Sequence, residues 1–165
     1  MATFSARNQS SAHVPAPRQD IWKVVSDPDA LAELTPMIRS IHADGDRWCW
    51  RLRGISALGV TVSPSFTEQM TFTEGERIDF RHEPPAGSDE RAGAEGTYVL
   101  REGVDGGTDL DIDLTVEVDL PLPRSARRLV ERVMTSSMDR TGERFAHNLY
   151  DRLGLDPGTV RISRG

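Results

Sequence analysis

Between Asp109 and Leu120 the chain alternates without a break. Leu110, Ile112, Leu114, Val116, Val118 and Leu120 are apolar, and Asp109, Asp111, Asp113, Thr115, Glu117 and Asp119 are polar. Successive side chains of a strand point to opposite faces, so this run is a strand with one dry face and one wet face. Such strands belong to antiparallel sheets packed on one side only. The same period recurs, with less regularity, over Thr3–Val14, Arg47–Arg53, Val60–Phe72 and Arg77–Glu83. Turn signals separate these stretches at Asp44-Gly45-Asp46, Glu74-Gly75-Glu76, Pro84–Ser88 and Asp105-Gly106-Gly107.

Two stretches have another period. Ile21, Trp22, Val24 and Val25, then Leu31 and Leu34, suggest two short helices, the second capped by Asp27 with Pro28 in its first turn. After Pro123, apolar residues recur at three- and four-residue steps from Leu129 through Val133, Met134, Met138 and Phe145 to Leu153. This spacing predicts one amphipathic helix from Ser125 to Leu153, roughly 40 Å long. The fold class is therefore α+β: a curved antiparallel sheet of about seven strands, wrapped on a long C-terminal helix, with two short helices after the first strand. Residues 1–155 form one domain and 156–165 a loose C-terminal tail. A single helix about 10–12 Å wide cannot fill the concavity of such a sheet. A cavity is expected between sheet and helix, lined by some of Phe66, Met70, Phe80, Tyr98, Met134, Met138 and Phe145. Ser136, Ser137, Thr141 and Gly142 would leave volume there, unless they serve close helix–sheet packing instead.

Composition removes several function classes. A net charge of −6 argues against broad nucleic-acid binding, and no run of about 18 apolar residues exists to span a membrane. Cys49 is the single cysteine, which excludes an internal disulfide and suits a reducing cytoplasm. His13, His42, His82 and His147 lack metal-ligand spacing, and no phosphate-cradling glycine loop or nucleophile elbow is present, so neither metal nor cofactor is called for. Oligomeric state is not legible. The aspartates of the long strand read as a solvated face. Arg124, Arg127, Arg128 and Arg132, interleaved with Glu131, read the same way.

Glu68 and His82 break apolar faces, and with Tyr98 they are the weak catalytic candidates. Pairing Thr73 with Arg77 matches Phe72 to Ile78 and Met70 to Phe80, and sets Glu68 opposite His82. Inside a cavity that pair would orient a polar group or move a proton; the competing reading is a plain structural pair. Tyr98 shares the parity of Leu100 and either points its phenol into the same space or packs as a core aromatic. Asn8 and Ser10 read first as an exposed edge, with polar pocket wall as the alternative.

The stretch Val14-Pro15-Ala16-Pro17, Ile21-Trp22, Val25, Asp27-Pro28, Leu31 and Thr35-Pro36 resembles the N-terminal signature of the START-like superfamily. That group includes polyketide cyclase/dehydrase and lipid-transfer proteins and Bet v 1-like proteins. Where its members usually carry tryptophan two residues before the last proline, this chain has Leu34. The order of elements matches from Thr3 to Leu153. The resemblance implies a helix-grip fold with an internal cavity for hydrophobic ligands, but no single chemistry. The leading expectation is binding or transport of a lipid-like or polyketide-like molecule without catalysis. The alternatives are an aromatase/cyclase-type enzyme, or an accessory protein with a filled core.

Overall fold

A computed structural model describes the whole chain, Met1–Gly165. The elements run β1 (Ala2–Val14), α1 (Arg18–Val25), α2 (Pro28–Leu34), β2 (Ile38–Asp44), β3 (Arg47–Leu52), β4 (Ile55–Ala57) and β5 (Val60–Val62). Then follow β6 (Ser65–Thr73), β7 (Arg77–His82), β8 (Ala92–Glu102), β9 (Thr108–Leu120), α3 (Arg127–Arg152) and β10 (Ile162–Arg164). All strands but β4 and β5 make one antiparallel sheet in the order β10-β1-β9-β8-β7-β6-β3-β2. The sheet curves around α3, giving the α+β helix-grip architecture. No helix is long and apolar enough to cross a membrane.

The β9 alternation does what its period demands. Leu110, Val118 and Leu120 are buried, and β9 pairs with β1 from Ala2↔Leu120 to Val14↔Thr108. Across that ladder the wet face is stitched by polar pairs: Arg7 to Asp113 at 2.7 Å, Ser11 to Asp111 at 2.6 Å and His13 to Asp109 at 2.9 Å. Ile112, Leu114 and Val116, in contrast, are only half-buried. They face open volume inside the molecule rather than solid core.

α2 begins as its sequence dictates, with the Asp27 carboxylate accepting from the N–H groups of Asp29 and Ala30 and Pro28 in the first turn. α3 buries Val130, Met134, Leu149 and Tyr150 against the sheet and the short helices. Three expectations need correction. Val60–Phe72 is two strands, β5 and β6, because Pro64 supplies no ladder donor; β5 pairs with β4 in a separate hairpin before β6. The sheet has eight strands, the last being β10. The end of the chain is thus no loose tail: Ser10, Ser11 and Ala12 pair with Arg164, Ser163 and Ile162, and Arg164 reaches Glu143 of α3 at 2.6 Å.

Candidate functional site: an apolar cavity with one polar end

Between the sheet and α3 lies a cavity of about 210 Å³. Sheet residues Phe66, Phe80, Tyr98, Ile112 and Leu114 face Met134, Met138 and Phe145 of α3 across it. The small residues Ser137, Thr141 and Gly142 are part of the helix wall, whereas Ser136 is not and accepts from Arg140 at 3.1 Å instead. The hairpin contributes Ile55, Ala57, Val60 and Val62 to the wall. Of the 33 lining residues 25 are hydrophobic, and none is Lys, Arg or His.

The residues singled out from the sequence divide in two. Phe66, Phe80, Tyr98, Met134, Met138 and Phe145 line the cavity, as does Glu68. Met70 does not: it is 1% exposed and packed within the continuous core. Asn8 and Ser10 line the cavity instead of forming an exposed edge, because they share the inward parity of the buried Phe4, Ala6 and Val14 on β1. Asn8 is held there by donating Nδ2–H to Asp139 of α3 at 2.7 Å.

Matching of apolar faces sets the β6–β7 register at Thr73↔Arg77, Phe72↔Ile78, Met70↔Phe80 and Glu68↔His82. The side chains of Glu68 and His82 nevertheless do not bond each other. His82 Nε2 lies 2.9 Å from Glu90 Oε2, and the same carboxylate accepts from Thr67 N at 2.8 Å and Thr67 Oγ1 at 2.7 Å. Gly93 makes that turn of the ring possible, since a Cβ there would sit 2.4 Å from His82 Cγ. His82 is consequently outside the cavity wall. Burial pushes the Glu90 carboxyl up, but the Thr67 and His82 hydrogen bonds outweigh it and hold Glu90 below its ordinary value.

Glu68 stays alone. It is 2% exposed, and its Oε2 has no hydrogen-bond partner. Burial pushes its carboxyl well above the ordinary value, opposed only by the neighbouring Trp50 indole. No formed hydrogen bond joins the two, for Trp50 Nε1 is itself buried and unpartnered. Tyr98 lies near: its ring stands 5.2 Å from that of Phe80, and burial together with the Glu68 charge raises its phenol. Sequence reading missed two participants. The Trp50 N–H was hidden because a tryptophan on an apolar face reads as core. Glu90 comes from a loop without periodicity.

A sequence model of the polyketide cyclase/dehydrase and lipid transport family matches residues 5–149. The chain belongs to that family. No curated protein sequence matches it. Among solved structures, it is similar to a conserved protein of Geobacillus kaustophilus, at 16% identity and TM-score 0.65, covering 94% of this chain and 98% of that one. A START superfamily protein of Mycobacterium smegmatis is similar at 20% identity and TM-score 0.61, covering 88% and 96%. The Zhui aromatase/cyclase of Streptomyces sp. R1128 is similar at 13% identity and TM-score 0.58, covering 92% and 93%. At these identities the likeness shows a shared fold. For a member of the polyketide cyclase/dehydrase and lipid transport family, an internal cavity agrees with hydrophobic-ligand binding or a cyclase role.

Proposed function

We propose that the protein binds one hydrophobic small molecule, lipid-like or polyketide-like, in this cavity and carries it without transforming it. The observation that supports this most is the wall itself, apolar over most of its residues and open inside. A volume of about 210 Å³ exceeds the roughly 150 Å³ that admits benzene and is less than the roughly 300 Å³ at which drug-sized sites begin. It suits a guest of one or two rings, or a short chain. Removal of the guest's apolar surface from water drives its binding. An accessory protein with a filled core has no use for such a volume.

A second reading has one observation in its favour. Glu68 and Tyr98 are proton-bearing groups within the same cavity, and aromatase/cyclases share the fold. Of the three catalytic candidates, however, His82 is tied to Glu90 outside the wall. That leaves a carboxyl and a phenol, and burial raises the proton affinity of both. Native mass spectrometry of protein purified from its own host tests the carrier reading. A bound adduct released intact on unfolding is the expected result. Recovery of a converted product, with conversion lost in Glu68→Gln, would favour the enzyme.

A further inference from the structure

Two buried polar atoms on residues that line the cavity, Trp50 Nε1 and Glu68 Oε2, have no hydrogen-bond partner. Trp50↔Phe66 and Trp48↔Glu68 are cross-strand pairs, so Trp50 and Glu68 are diagonal neighbours on the inner face of the sheet. Tyr98 lines the same cavity. Buried polar groups in native proteins are almost always satisfied, so orphaned ones facing a cavity point to a missing partner.

The chemistry of that partner follows from the donors. Without a cation in the wall, a charged guest group would be buried unpaired, which is costly. The indole N–H only donates; a neutral carboxyl and a phenol each bring a further O–H. The indole N–H and the Glu68 Oε2 nonetheless have no hydrogen-bond partner in the protein. An uncharged oxygen that accepts from the indole N–H is a group this end can hold without burying an unpaired charge.

We propose that Glu68, Trp50 and Tyr98 form a hydrogen-bonding end that takes an uncharged acceptor oxygen, such as that of a ketone, on an otherwise apolar guest, and that anionic head groups are excluded. This rests on the cavity being the ligand site, and it names the class of ligand. Glu68 is then a specificity-determining residue: it serves as a donor, and a permanently neutral amide can replace it.

Calorimetric titration at neutral pH with indane, 1-indanone and indane-2-carboxylate tests this, because the three share a skeleton and differ in the polar group. Wild type should bind 1-indanone about tenfold more tightly than indane, the worth of one good hydrogen bond, and should not bind the carboxylate. Glu68→Gln should keep the ketone preference and Glu68→Leu should lose it, with circular dichroism confirming that both variants fold. Equal affinity of wild type for indane and 1-indanone overturns the polar-end proposal while leaving the cavity as a ligand site. Preference for the carboxylate, or loss of the ketone preference in Glu68→Gln as complete as in Glu68→Leu, overturns it as well. Failure of all three probes to bind at millimolar concentration overturns both readings.

Discussion

At position 68 a carboxyl occupies a site whose neighbours on the same face, Phe66 and Met70, are both buried. Its raised proton affinity has a consequence for stability. Below about pH 4.3 the unfolded chain keeps the same proton, and the group adds no pH dependence. Above that, the unfolded chain ionises while the folded one does not. Stability therefore falls as pH rises, by up to about 1.4 kcal/mol per pH unit, until the folded carboxyl also ionises. Glu68→Gln has no proton to lose. Urea unfolding of both proteins from pH 4 to pH 8 should show the variant gaining on wild type as pH increases. A gap that stays constant would mean that Glu68 titrates like an exposed carboxyl. Parity alone made Glu68 visible in the sequence, as a charged residue among apolar ones. Its lack of a partner was not visible, since that depends on where His82 turns.

Hairpin β6–β7 shows where pattern reading succeeds and where it ends. Its register follows from matching apolar faces, because a slip by one residue would put Met70 and Phe80 into water. The partner of His82 follows from nothing periodic: the segment between β7 and β8 folds back and places Glu90 over Thr67 and His82. The β4–β5 hairpin was misread for a related reason, since Val60–Val62 keeps the parity of β6 across Pro64 although the ladder does not continue. Glu90 is the tie that fastens its segment to the sheet. Glu90→Ala leaves the Thr67 N–H without an acceptor and should cost about 2 kcal/mol, as for a lost hydrogen bond to a charged group. Hydrogen exchange at Thr67 and along residues 83–91 should quicken. Unchanged exchange would show that other contacts hold the segment. Because its carboxyl is held below the ordinary value, the tie is complete at neutral pH and is lost as the pH falls through that lowered value.

One helix against an eight-stranded curved sheet leaves room, and the chain leaves it unfilled. Where α3 passes over the centre of the sheet it presents Ser137, Thr141 and Gly142, while Ile112, Leu114 and Val116 opposite remain half-buried. That open volume was legible from element order and helix width; its closure by the β4–β5 hairpin and its polar end were not, because both depend on side-chain placement across distant strands. Empty apolar volume is a cost in stability, because its lining forgoes dispersion contacts. A chain selected for stability alone would carry larger side chains on this helix face. Thr141→Leu adds apolar volume to the wall and removes a hydroxyl from it. The variant should be more stable by about 0.5–1 kcal/mol, in the range typical of cavity filling, and should take up less of the guest found on wild type by native mass spectrometry. Higher stability with full uptake would place the guest elsewhere. Lower stability would mean that Thr141 is packed as tightly as core, and that the volume on the helix side is smaller than its lining suggests. Loss of uptake with a gain in stability is what a cavity kept open for a ligand requires.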